Sequence, residues 1–100
     1  MKKADIIKII ADRGINKTDV SNVLESFMKI IKDAVESGED VTLRGFGTFK
    51  LKKRAKKIAR NIKENKSVII PPHYIPYFKP ADEFEEMIIA SQMNQDLAKE

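Results

Sequence analysis

The stretch RGFGTFKLKKRAKKIARN, residues 44–61, decides the fold. Gly45 and Gly47 bracket Phe46, Phe49 and Leu51 follow at alternate positions, and Val41 and Leu43 alternate before them. A period of two broken by closely spaced glycines predicts two short strands joined by a tight turn. The second half stays extended but loses its apolar content. From Leu51 to Lys66 there are eight Lys or Arg residues and one acid, Glu64. Such a segment cannot bury itself in a core. It predicts a basic ribbon projecting from the body over about residues 52–74.

The ribbon returns through SVIIPPHYIPYF, residues 67–78, where Pro71, Pro72 and Pro76 restrict the chain to an edge or to bulged, extended backbone. KENK, residues 63–66, is the reversal, because Asn65 tolerates the left-handed conformation of a hairpin tip. Alternation places Lys52, Arg54, Lys56, Ile58, Arg60 and Ile62 on one side, with Lys53, Ala55, Lys57 and Ala59 on the other. Ten residues a side at ~3.3 Å each reach ~33 Å, close to one turn of duplex DNA. An isolated two-stranded ribbon is marginal in water, so this one is expected to order on a partner.

Upstream, Ile6, Ile7, Ile9 and Ile10 mark a helix over residues 3–13, stopped by Gly14. Asn16 then reads as an N-cap with Asp19 at the favourable third position. Val20, Val23, Leu24, Phe27, Ile30, Ile31, Ala34 and Val35 keep helical spacing for the turns that follow, and SGED ends them. Downstream of Pro80, ADEFEEMIIASQMNQ is helical, with Phe84, Met87, Ile88 and Ser91 on one side. Its first turns carry Asp82, Glu83, Glu85 and Glu86, where the helix dipole favours acids. The fold class is therefore α+β in a single domain over residues 1–100. A helical hairpin (1–40) precedes a three-stranded antiparallel sheet with a long arm (41–80), then a C-terminal helix and tail (81–100).

Of the 100 residues 42% are hydrophobic, as in an ordinary folded domain. The net charge of +4 hides a segregation. Residues 1–40 balance at −1, residues 41–80 at +10 and residues 81–100 at −5. A single-sign block of that size seeks a polyanion, whereas a merely solvated face alternates its signs.

Other classes are excluded on composition. Without Cys there is neither a disulfide framework nor a thiolate metal site. The lone His73 has no second ligand at metal spacing. The apolar runs IIKII and MIIA fall far short of a membrane span. Asp5, Lys8 and Asp12 interrupt the N-terminal apolar stretch, against a signal peptide. No carboxylate cluster, nucleophile triad or phosphate loop appears, so neither an enzyme, a cofactor nor a small-molecule substrate is expected.

The residues of RGFGTFKLKKRAKKIARN, followed by IPYFKP and a short helix, resemble the bacterial HU/IHF family of histone-like, nucleoid-associated DNA-binding proteins. The likeness runs from residue 1 to about residue 89 and preserves the order of elements. It implies an intertwined homodimer or heterodimer, cytoplasmic and on the nucleoid, whose two arms wrap duplex DNA. Family members bind the minor groove, insert apolar wedges and kink the duplex. On this reading DNA contacts fall on Lys3, Arg44, Lys52, Lys53, Arg54, Lys56, Lys57, Arg60, Asn61, Ile62, Lys63, Lys66 and Lys79. Val41, Leu43, Phe46, Phe49 and Phe78 form the dimer core.

Three departures stand out. Where the family has a proline wedge after the Arg-Asn at the arm tip, this chain has Ile62, itself an apolar wedge type; the alternative is that Ile62 packs within the arm. Glu64-Asn65 replaces the common Thr-Gly. The last helix begins ADEFEE in place of lysines that touch flanking DNA, which argues against a long, fully wrapped site. Two other classes compete. A basic β-ribbon also suits RNA or a ribosome-associated module, although no aromatic pair is arrayed for stacking unpaired bases. A structural protein assembling through its last helix, with the arm incidental, is the third. The arm lacks the Asn, Gln and Arg arrangement that reads the major groove, so shape and deformability readout is expected.

Overall fold

The computed structural model describes residues 1–61 and 66–94. Two compact units make up the chain, Met1–Ala34 and Val35–Glu100. Helix α1 spans Lys3–Ala11 in the first and is followed by α2, Lys17–Glu36, whose last two residues belong to the second. The Lys2 backbone N–H donates to Asp5 Oδ2 at 2.7 Å, tying the entry of α1 to its first turn. The helix stops at Ala11, two residues short of the expected end, and the chain passes through Gly14 at φ +98°. Asn16 caps α2 as its position suggests, its Oδ1 accepting the Asp19 N–H at 3.1 Å.

Ile7 and Val20 are the buried apolar side chains of this unit, at 8% and 6% exposure. Val23, Phe27 and Ile30, one face of α2, are 68%, 42% and 65% exposed. A shallow apolar groove lined by Ile10, Ile15, Val23, Leu24 and Phe27 runs along the helices. The amphipathic stripe that built the helix is thus left mostly uncovered by the single chain.

The second unit holds β1 Val41–Leu43, β2 Gly47–Arg54, β3 Lys57–Asn61, β4 Lys66–Ile70, β5 His73–Pro80 and helix α3 Asp82–Asn94. An antiparallel three-stranded sheet runs in the order β1-β2-β5, and β3 pairs with β4 separately. The β1–β2 turn closes with the Phe46 N–H donating to the Leu43 carbonyl at 2.9 Å, and Gly45 sits at φ +81°. Positive φ at the third residue is what a type II turn demands, hence the glycine. Pro76 lies in β5, an edge strand, where one row of backbone N–H groups has no ladder partner to lose.

Strand β1 pairs only with Gly47–Phe49 of β2. From Lys50 onward β2 and β5 therefore form a two-stranded ribbon, and the arm grows directly out of it. The ladder stops at Arg54↔His73 and resumes at Lys57↔Ile70 in the same register. That register sets Ala55 and Lys56 opposite Pro72 and Pro71, which carry no N–H to donate. The expected ribbon is accordingly two ladders in series, interrupted by its own prolines. The reversal expected at KENK falls mostly on residues 62–65, outside the described residues.

Phe46, Phe49 and Phe78 meet in one cluster. Phe49 and Phe78 are cross-strand partners with centroids 4.8 Å apart, and Phe46 lies 5.0 Å from Phe78. The Phe46 carbonyl accepts the Ala81 N–H at 2.9 Å, which fixes the start of α3 on the turn. Phe84 then stacks on Phe46, at 5.7 Å and 16° between planes. On α3 the apolar stripe is only partly covered: Phe84 and Ser91 are half-buried, while Met87 and Ile88 are 61% and 44% exposed.

Candidate nucleic-acid interface

Strand alternation sorts the second unit into two faces. The register pairs Thr48↔Lys79, Lys50↔Tyr77, Lys52↔Ile75 and Arg54↔His73, so these side chains share one face. The opposite face carries Phe49↔Phe78, Leu51↔Pro76 and Lys53↔Tyr74, together with Val41 and Leu43 of β1. The phenylalanine cluster thereby lies on one side of these strands and Lys50, Lys52, Arg54 and Lys79 on the other, with Lys53 on the phenylalanine side and Tyr77 on the lysine side. Because the register is unchanged beyond the proline break, the row Lys50, Lys52, Arg54 continues at Ile58. Of the row expected from sequence, the ladders carry Lys52, Arg54 and Ile58 and add Lys50 and Lys79, while Lys56 falls in the break between them and Ile62 lies outside the described residues.

Two of the row's lysines are steered apart. The Lys50 Nζ lies 4.0 Å from Asp40 Oδ2, with both side chains about half exposed (40% and 55%). The Lys52 Nζ sits over the Tyr77 ring, 4.5 Å from its centroid. His73 places Nδ1 3.0 Å from the Pro71 carbonyl. A carbonyl only accepts, so that nitrogen carries the proton.

In the arm Lys57↔Ile70, Ile58↔Ile69 and Ala59↔Val68 are opposed, followed by Arg60↔Ser67 and Asn61↔Lys66. Ile58, Val68 and Ile69 are 68%, 43% and 63% exposed, so the ribbon presents apolar surface on both faces among its cations. Lys53, Lys56 and Lys57 are exposed, and Lys56 lies in the break between ladders. The positions of Arg60, Asn61 and Lys66 are fixed by register, while Ile62 and Lys63 lie outside the described residues.

The remaining expected contacts are scattered. Arg44 stands exposed in the β1–β2 turn. Lys3 is engaged in an ion pair with Glu25 of α2, each side chain about half exposed (51% and 52%). Among the described residues no three His, Cys, Asp or Glu side chains stand together as a metal site requires, and no helix is long and apolar enough to cross a membrane.

Sequence reasoning missed two residues. Lys50 lies on the cationic face, and counting back two positions from Lys52 would have found it. Phe84 joins the phenylalanine cluster from another element, a contact that periodicity alone does not signal.

Comparison with known proteins bears on this arrangement. A family model described as bacterial DNA-binding protein matches residues 1–89. The integration host factor subunit beta of Marinomonas sp. is 33% identical over 90 residues, covering 88% of each chain. The same subunit from Alkalilimnicola ehrlichii is 32% identical over 96 residues, covering 94% of this chain and 96% of that one. An Anabaena HU–DNA cocrystal structure is similar with a TM-score of 0.83 at 32% identity, covering 88% of this chain and 97% of that one. HU from Thermotoga maritima gives 0.61 at 26% identity, over 88% and 98% of the two chains. Helical N-terminus, three-stranded sheet, hairpin arm and closing helix together define a histone-like DNA-binding fold. The chain belongs to the bacterial DNA-binding protein family, that of HU and integration host factor.

Proposed function

We propose that the chain acts as a dimer that binds duplex DNA through the minor groove with two basic β-arms, bending and compacting it mostly without reading base sequence. The observation that carries this is the single cationic row, Lys79, Lys50, Lys52 and Arg54, running in register into a ribbon that contains Arg60. A row of cations along an extended two-stranded element matches a phosphate backbone better than a compact anion. From Lys50 to Asn61 the ribbon spans about 40 Å, enough to follow a groove for roughly one helical turn. Apolar Ile58 and Ile69 between the cations suit the sugar walls of a groove ~6 Å wide.

Dimerisation is supported by what the single chain leaves uncovered. Only Ile7, Val20 and Val35 among the described apolar side chains are buried, and none is fully so. A stable domain of this size needs more than that. The second subunit is another copy of this chain or a related one, and the two compact units serve as one DNA-binding domain. The phenylalanine cluster with Val41 and Leu43 is its interface core. Lys3, Arg44, Lys53, Lys56, Lys57, Asn61, Ile62, Lys63 and Lys66 add contacts to those of the row. The site of action is the nucleoid, within the cytoplasm.

The test is a binding series on straight, nicked and pre-bent duplexes of one sequence, with a structured RNA as competitor. Tighter binding to nicked and pre-bent DNA is expected, because deformation costs less there. Equal affinity for all three duplexes counts against bending. Preference for the RNA would move the protein to the RNA-binding class.

A further inference from the structure

We propose that Tyr77 is a positioning residue for DNA binding, its ring holding the Lys52 ammonium on the cationic face at the place where a phosphate is met. The inference rests on the reading of that face as a backbone-contact surface.

The geometry favours this pair over its neighbours. Lys52 lies opposite Ile75, and Tyr77 is two residues further along β5 on the same face. Diagonal neighbours of this kind are ~7–8 Å apart at the backbone, within reach of a long side chain and an aromatic ring. Lys50 is the direct partner of Tyr77, yet its ammonium points to Asp40, which leaves the ring to Lys52. The 4.5 Å separation lies well inside the ~6 Å limit for attraction of a cation to an aromatic face.

The consequences for the two lysines differ. An ion pair with Asp40 offsets part of the Lys50 charge. A ring attracts an ammonium without neutralising it, and no ion pair to Lys52 occurs among the described residues. An ammonium has three N–H donors. One side can rest on the ring while the others remain free for phosphate oxygens. A lysine must surrender most of its rotamer freedom to hold a phosphate. Lys52 has surrendered part of it already. Tyr77 is 38% exposed, so the ring is not withdrawn into a core from which it could not serve a surface contact.

The experiment compares Tyr77→Phe, Tyr77→Leu, Lys52→Ala and the double variant Lys52→Ala/Tyr77→Leu with the parent, each in its intact assembly. A straight duplex is titrated at several salt concentrations. The proton resonances of the Lys52 ε-methylene are followed in the free protein. Tyr77→Leu is expected to weaken binding about three-fold, the size of one exposed cation–π contact. Tyr77→Phe, which keeps the ring, should bind like the parent. In the Lys52→Ala background Tyr77→Leu should have no further effect. The ε-methylene resonances should be shifted upfield by the ring in the parent and in Tyr77→Phe, and should return to ordinary positions in Tyr77→Leu.

If Lys52→Ala weakens binding while Tyr77→Leu does not, or tightens it, the positioning role is overturned and the backbone-contact surface stands. If Tyr77→Leu weakens binding equally with and without Lys52, its role is structural and the proposal is equally overturned. If Lys52→Ala leaves both affinity and salt dependence unchanged, the surface reading itself fails and the inference goes with it.

Discussion

Gly47 and the ring of Phe78 leave no room between them for a side chain. A Cβ on Gly47 would stand 2.5 Å from Cε1 and Cζ of that ring and 2.6 Å from the Lys79 carbonyl oxygen. The ring cannot swing aside freely, because Phe46 and Phe49 pack against it at 5.0 and 4.8 Å. Gly47→Ala should therefore destabilise the fold by about 1–3 kcal/mol, the usual cost of overpacking. Gly45→Ala meets no atom within 4 Å but forces a Cβ into φ +81°, for a cost of about 1–2 kcal/mol. Urea unfolding of both variants checks this. A Gly47→Ala protein as stable as the parent would show that the cluster relaxes.

Stability should depend on concentration. Val23, Phe27 and Ile30 present a broad apolar stripe of α2 to solvent in the single chain, and Met87, Ile88 and Ile89 do the same on α3. An obligate dimer covers such surfaces, and its unfolding midpoint rises with protein concentration. Phe27→Asp should lower the midpoint and shift the mass in solution toward monomer. A parent midpoint independent of concentration, with a monomeric mass, would defeat the dimer.

Much of this was legible from residue order, and the exceptions have physical causes. The glycine turn, the Asn16 cap and the two apolar faces of the helices follow from local rules, because each depends on neighbours within a turn or two. The proline pair 71–72 was equally visible, but not that it would interrupt the ladder opposite Ala55 and Lys56. That depends on register, which is set by contacts between distant segments. The same holds for Phe84 on Phe46 and for Lys52 on Tyr77. Lys3, a DNA contact on the family resemblance, has its ammonium on Glu25 of the neighbouring helix, a pairing that no local rule reveals.

Binding should be dominated by counterion release. If two arms and the body neutralise about eight phosphates, log K falls with log salt at a slope of about −7. Arg54→Ala, Lys57→Ala and Arg60→Ala should each flatten that slope by about one unit and weaken most sequences alike. Lys50→Ala should flatten it by less, since Asp40 already shares that charge at 4.0 Å. Fluorescence anisotropy across a salt series measures all four. An affinity independent of salt would sink the phosphate-driven account.

The arm's end holds the sharpest prediction. The described ladder closes at Asn61↔Lys66, so the next residue, Ile62, follows directly on the last paired position of a cation-bearing strand. If the arm binds as proposed, its cations bring a duplex close, and Ile62 is the apolar residue that takes the wedge role at a base step. Entering a base step costs on the order of a few kcal/mol of unstacking, which the bend must return through added contacts. Ile62→Ala removes the wedge and none of the charge. It should reduce the bend angle and the preference for nicked or pre-bent DNA, while leaving the salt slope nearly unchanged. Ile62→Pro supplies a rigid ring of similar reach and should retain or increase the bend. Energy transfer between dyes at the duplex ends reads the angle, beside a salt titration of each variant. If Ile62→Ala bends DNA as well as the parent, Ile62 is arm packing only, and the cations alone must account for the bend.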